Sequence, residues 1–113
     1  MNKREIGSEY EKIAITYLEK NGITILEKNF RNRSGEIDII GLDNPYLVFF
    51  EVKYRKNTKF GSPLEAVNYK KQLQIQKVAS YYLYINNYSD NAPVRFDCIG
   101  ILGSDIDWIK NAF

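Results

Sequence analysis

The residues best suited to chemistry are two pairs. Glu36 and Asp38 stand in Gly35-Glu36-Ile37-Asp38, and Glu51 and Lys53 stand in Phe50-Glu51-Val52-Lys53. A spacing of two puts both members of a pair on one face of an extended strand. A two-residue hairpin turn at Asn44-Pro45 then sets Asp38 opposite Glu51 and Glu36 opposite Lys53. A register slip of two residues keeps all four on one face, whereas a slip of one splits them. Carboxylates facing each other across a ladder repel. A hard divalent cation removes that penalty, because Mg²⁺ takes oxygen ligands from one or two carboxylates, water and phosphate. Such an ion lowers the pKa of bound water and clamps a phosphate, and the Lys53 ammonium can orient the water or stabilise developing charge. The plainer alternative is an ion-pair ladder of Glu36 with Lys53 and Asp38 with a neighbouring arginine.

Further groups can join this set. On the first predicted helix Glu11 lies at the flank of the apolar stripe, beside Ala14 and Leu18. From there it either reaches the sheet beneath or is an ordinary boundary glutamate. Lys71 sits inside the stripe Val67-Lys71-Ile75-Val78-Tyr82 of a second helix. It therefore either snorkels outward or points into a polar pocket, where it could meet a substrate phosphate. Lys28, Arg31, Arg33, Arg55, Lys56 and Lys59 fall in connecting segments, and Lys70, Lys71 and Lys77 share the second helix. Clustered cations suit a phosphate backbone, the alternative being a solvated basic surface. Arg31, Arg33, Arg55 and Lys71 are the candidates for nucleic-acid contact. Asp97, two residues from Arg95 on one strand face, reads as a structural salt bridge.

The elements that must position these groups are readable from periodicity. Residues 4–20 form an amphipathic helix with Ile6, Tyr10, Ile13, Ala14, Tyr17 and Leu18 on one stripe, stopped by Asn21-Gly22. Residues 23–30, 36–42 and 47–55 are strands, joined by a basic turn from Arg31 to Gly35 and by the turn Asp43-Asn44-Pro45-Tyr46. Ser62-Pro63-Leu64-Glu65 is a capping box that opens a helix running to about residue 86, with Leu64, Val67, Ile75, Val78, Tyr82 and Ile85 as its apolar face. Residues 93–102 are a fourth strand, and 106–109 pair back as a short fifth. The order αβββαβ with a C-terminal extra strand implies an α/β domain over residues 1–113, a mixed central sheet flanked by helices.

Bulk properties narrow the function classes. With 113 residues and a net charge of +2 the chain is long enough to bury a core without staples. The single cysteine, Cys98, lies in an apolar run, which excludes a disulfide framework, reads as a small buried hydrophobe and points to a reducing cytoplasm. No apolar run is long enough to span a bilayer. Histidine is absent, which removes Ser-His-Asp and Cys-His nucleophiles and the common zinc sets. Catalysis is left to carboxylates, lysine, tyrosine or a hard metal ion.

Taken together, Glu11, Asp38 and Glu51-Val52-Lys53 resemble the PD-(D/E)xK nuclease superfamily, and the element order resembles its restriction-endonuclease-like core. More closely, the whole chain is similar to the small, uncharacterised bacterial YraN-like family, which is related to archaeal Holliday junction resolvases. The matching pieces are Gly7-x-x-x-Glu11-x-x-Ala14, Asn29-Phe30-Arg31, Gly35-Glu36-Ile37-Asp38, Phe50-Glu51-Val52-Lys53-x-Arg55, Phe60-Gly61, Lys71 and Arg95-Phe96-Asp97. Ile37 departs from the superfamily pattern, in which proline often precedes the aspartate. The resemblance implies that Asp38, Glu51 and the Val52 carbonyl ligate Mg²⁺ or Mn²⁺, with Glu11 binding directly or through water. It implies that Lys53 activates or positions the attacking water, with Glu36 an accessory. It also implies hydrolysis of DNA phosphodiesters, branched DNA being the natural substrate, and a homodimer. Two other readings stay open: a non-catalytic nucleic-acid-binding module of the same fold, and a structural protein with an acidic surface.

Overall fold

A computed structural model describes residues 2–57 and 67–113. The first helix, α1 (Lys3–Lys20), begins where the sequence offers a cap. The Asn2 side chain accepts a hydrogen bond from the Glu5 amide at 2.9 Å, satisfying one otherwise orphaned donor. Three strands follow: β1 (Thr24–Asn32), β2 (Gly35–Asp43) and β3 (Tyr46–Arg55). Then come α2 (Tyr69–Ile85), β4 (Val94–Leu102) and β5 (Asp105–Ile109). The strands form one sheet in chain order, β1-β2-β3-β4-β5. Hairpins make every pairing antiparallel except β3 with β4, which are parallel and joined through α2. This is the mixed sheet and αβββαβ order that the periodicity predicts.

The helices cover opposite faces. Ala14 and Leu18 of α1 pack with Ile39, Val48, Phe50 and Ile99. Ile75, Val78, Ala79 and Tyr82 of α2 pack with Ile40, Leu47 and Phe49. Neighbouring Phe49 and Phe50 thus enter different cores, as strand alternation requires. Leu47 to Val52 are all buried, the signature of a central strand covered on both sides. At Gly41 a Cβ would lie 2.7 Å from Ile23 Cγ2, so only glycine lets the segment after α1 approach β2 this closely.

Within β2 alternation breaks. Ile37 packs on the α2 side and Ile39 on the α1 side, although positions two apart should share a face. Opposite this break Asn29 adopts a left-handed backbone with φ of 54°. The β1–β2 ladder passes from Lys28↔Ile39 to Phe30↔Ile37, leaving Asn29 and Asp38 unpaired. On the other side the β2–β3 ladder stops at Ile39↔Phe50. The sheet therefore opens around Asp38.

Several expectations need correction. Val67 and Asn68 are not helical, and α2 starts at Tyr69, later than the capping box predicts. Asn68 itself caps it, accepting from the Lys71 amide at 2.9 Å. The box Ser62-Pro63-Leu64-Glu65, together with Lys59 and Phe60-Gly61, lies outside the described residues. Ile13 and Ile85 are 42% and 45% exposed, off the buried stripes to which periodicity assigned them. Strand β1 extends through Asn32, so Arg31 belongs to a strand and the turn shrinks to Arg33-Ser34, tied by the Asn32 side chain to the Ser34 amide at 2.8 Å. The Asn44-Pro45 turn falls where expected, with a cis peptide bond.

Asp97 is fully buried in a polar network, accepting from Arg95, from the Trp108 indole at 2.9 Å and from the Asn111 amide at 2.9 Å. Arg95 also reaches Asp43 at 2.9 Å. That satisfaction of every charge is the structural salt bridge expected of this pair. Cys98 is buried beside it, and burial pushes its thiol up to about 12.

Candidate metal centre

The opening in the sheet is where the acidic residues meet. Glu11 arrives from the half-buried flank of α1, Glu36 and Asp38 from β2. One carboxylate oxygen from each of the three lies within 4.8 Å of the others. Asp38 Oδ2 accepts a hydrogen bond from the Val52 amide at 2.8 Å. That bond replaces the next rung of the β2–β3 ladder and explains why the two strands part there. Val52 thus enters the site through its amide, a role that the resemblance, which implies a carbonyl ligand, did not include.

Glu51 stands beside this trio, not within it. It is 4% exposed, and its Oε1 is 3.3 Å from Lys53 Nζ and 3.8 Å from Lys71 Nζ. Its Oε2 is buried without a hydrogen-bond partner, a costly state for a carboxylate oxygen. Lys71 therefore points inward to a polar site, one of the two alternatives its place in the α2 stripe left open.

Electrostatics record the crowding. Burial, then the charge of Glu51, push the Asp38 carboxyl up to about 8 against the Val52 hydrogen bond. Burial raises Glu11 also, opposed by a hydrogen bond from the Asn29 side chain and reinforced by Glu36 and Glu51. Burial raises Glu51, opposed by Lys71 and Lys53. The raised Asp38, Glu11 and Glu51 carboxyls favour protons that a bound cation would displace.

Glu36 departs from its expected pairing. Lys53 is not its partner; instead it faces Arg31 across the β1–β2 ladder, with a 3.2 Å ion pair. The ion-pair ladder weighed for these residues is therefore absent, because the β2–β3 strands separate before Glu36 and Lys53 could meet. Arg31 is exposed at the acidic cluster, on a cleft of about 450 Å³ that Lys3, Arg4, Glu11 and Asn29 also line. Arg55 lies on the other side of α1's first turns, lining a cleft of about 390 Å³ with Tyr10, Lys53 and Lys56. Its Nη1 donates to the Tyr54 carbonyl at 2.8 Å. Arg33 is exposed in the β1–β2 turn.

Asn29 is a site residue that sequence reasoning quoted only within the piece Asn29-Phe30-Arg31, with no role assigned. Asparagine tolerates left-handed backbone better than most residues, but one asparagine inside a strand pattern is a faint signal. Glu36 was legible as an accessory only. Its place beside Asp38 follows from the spacing of two, and the structure raises it from accessory to member of the cluster.

The donor set is all oxygen, which suits Mg²⁺ or Mn²⁺. The crowded carboxylates of Glu11, Glu36 and Asp38 and the unpartnered Oε2 of Glu51 fit such an ion.

Comparison with known proteins gives one consistent result. A family model for the uncharacterised protein family UPF0102 matches residues 10–101. A UPF0102 protein of Fusobacterium nucleatum is 50% identical over 111 residues, covering 98% of this chain and 92% of its own. One from Clostridioides difficile is 49% identical over 115 residues, covering 100% of both chains. One from Legionella pneumophila is 41% identical over 112 residues, covering 97% of this chain and 95% of its own.

Proposed function

This chain belongs to the uncharacterised protein family UPF0102, the YraN-like group, and on that footing we propose that it is a metal-dependent phosphodiesterase acting on DNA. The observation that carries the reading is the gathering of Glu11, Glu36 and Asp38 oxygens within 4.8 Å at a break in the sheet. Crowding that Arg31 relieves only at Glu36 costs stability, and function is a physical reason to retain it.

Glu11, Glu36, Asp38 and Glu51 would hold Mg²⁺ or Mn²⁺. When bound, the ion supplies Lewis-acid stabilisation of phosphate charge and a more acidic water. The chain's own groups do the remainder. The Val52 amide fixes the Asp38 carboxylate in one rotamer. Lys53 Nζ donates to the attacking water and orients it in line with the phosphorus. Glu51 Oε2, buried and unpartnered, is kept for the ion, and the water's proton leaves to bulk solvent. Lys71 Nζ, on the same carboxylate, offers positive charge to a non-bridging phosphate oxygen. A water oxygen–phosphorus bond forms, the bond to the 3′ oxygen breaks, that oxygen takes a proton from solvent water, and the products are a 3′-hydroxyl and a 5′-phosphate. Arg31, Arg33 and Arg55 provide sequence-independent contacts to the backbone.

A non-catalytic nucleic-acid-binding module is the second reading. The ion pairs of Arg31 with Glu36 and Lys53 with Glu51 favour it, since they occupy carboxylates without a metal. One panel separates the two: single-stranded, duplex, flap and four-way DNA with Mg²⁺ or Mn²⁺, for wild type and Asp38→Asn side by side. Cleavage that needs metal and vanishes in Asp38→Asn supports hydrolysis. DNA binding without metal and without cleavage supports the module and ends the enzymatic reading.

A further inference from the structure

Among the described residues, six of the ten exposed large apolar side chains fall between Tyr69 and Tyr88. Tyr84 is 78% exposed and Tyr69 is 73% exposed. Buried Ile75, Val78, Ala79 and Tyr82 define the inner side of α2. At about 100° per residue, Tyr69, Leu73, Lys77, Ser80 and Tyr84 fall on the side directly opposite. Solvent-facing helix lines are normally polar, so concentrated aromatic exposure marks a contact surface.

Charge selects the partner. Helix α2 carries Lys70, Lys71 and Lys77 and no acidic residue. A two-fold contact between copies of this face would set Lys70 and Lys77 against their counterparts with no acid on the helix to pair them. A polyanion meets no such penalty. The aromatic members are tyrosines, which stack on flat rings and keep a hydroxyl wet. Lys71, on the inner side of the helix, meets Glu51 at 3.8 Å, so the outer face lies across α2 from the acidic site. Thirteen residues on, about 20 Å along the axis, Tyr84 lines a cleft of about 650 Å³ with Ser80, Asn87, Tyr88 and Asp90. That cleft offers aromatic walls and polar atoms for a base edge, with Asp90 able to accept from an exocyclic amino group.

We propose that the outer face of α2, from Tyr69 to the Tyr84–Tyr88 cleft, is a stacking platform for a single-stranded nucleic-acid segment. The inference rests on the nucleic-acid reading of the acidic site for its class of ligand, although the surface can be tested alone. At the duplex spacing of roughly 3.4 Å per nucleotide, the platform covers on the order of six nucleotides.

The test uses the whole chain in EDTA, with labelled single-stranded and duplex DNA of about 20 nucleotides followed by anisotropy, well beyond the site size of such platforms. Tyr69→Ala and Tyr84→Ala each weaken single-strand binding roughly tenfold, and duplex binding stays within about twofold. Tyr84→Trp retains affinity and Tyr84→Leu loses it, because stacking needs a ring. Circular dichroism confirms that these exposed substitutions leave the fold intact. Unchanged single-strand affinity in both alanine variants overturns the inference, and so does a dimer that dissociates in Tyr84→Ala with DNA binding preserved. Preferential binding to anionic vesicles with no affinity for single strands also overturns it. Metal-dependent cleavage with unaltered binding in the tyrosine variants rejects the platform alone. Tyrosine-dependent binding without cleavage rejects the hydrolytic reading alone.

Discussion

Asp38 shows how one carboxyl can couple folding to proton and metal binding. Its pKa lies at about 8 in the folded protein, raised by burial and by the Glu51 charge. The unfolded chain has an ordinary aspartate. Between the two values the folded state holds a proton that the unfolded state releases, so stability falls as pH rises. The metal-free melting temperature should decline from about pH 5 to about pH 8, and Asp38→Asn should flatten that decline; differential scanning calorimetry across buffers checks both slopes. Asp38→Asn and Glu51→Gln should also abolish Mg²⁺ or Mn²⁺ binding while leaving folding intact or improved, since each relieves repulsion. Titration calorimetry showing wild-type affinity in both variants would remove the metal site. Asn29 separates backbone from side chain in the same place. At φ of 54°, Asn29→Ala should cost roughly 1–2 kcal/mol in urea unfolding, Asn29→Gly should cost less, and both should weaken metal binding by freeing Glu11.

At the scale of the element, caps and buried networks decide where the secondary structure ends. Asn68→Ala removes the acceptor for the Lys71 amide and should cost roughly 1 kcal/mol. Asp97→Ala strands Arg95, Trp108 and the Asn111 amide and should cost roughly 3–5 kcal/mol, read from the urea midpoint. The strands were legible because β-forming runs are bounded by turn chemistry: the six-residue buried run of β3 and the turn at Asn44-Pro45 are visible in residue types alone. The start of α2 was not, because Ser62-Pro63-Leu64-Glu65 and Asn68 are both competent caps and local chemistry does not choose between them. The pairing of Glu36 with Asp38 was legible in their spacing of two, but the parting of β2 from β3 that leaves Glu51 beside the cluster was hidden. It depends on a phase change between Ile37 and Ile39 imposed by Asn29 across the ladder and by the Val52 amide. Tertiary geometry of that kind has no local signature.

For the molecule as a whole, the cations that surround the acidic cluster set how it meets a polyanion. Arg31, Lys3 and Arg4 line one cleft beside α1, and Lys53, Arg55 and Lys56 line another. DNA affinity should therefore fall steeply with salt, each neutralised phosphate adding about 0.9 to the log–log slope. Anisotropy titrations at several NaCl concentrations would show it, and a flat response would refute backbone tracking. No helix among the described residues is long and apolar enough to cross a membrane. The sheet order itself has a kinetic side. Every strand pairs with its neighbour in the chain, and β3 with β4 is the pairing that must wait for a helix to be crossed. Glu11, Glu36, Asp38 and Glu51 all precede that crossing, whereas Lys71 lies within it. A ribosome therefore delivers the mutually repelling anions first and one of their two compensating amines later. Closing the parallel pair is the step with the greatest loop entropy to overcome, and until it closes the nascent sheet carries its negative charge with Lys53 as the sole lysine partner of Glu51 among the described residues.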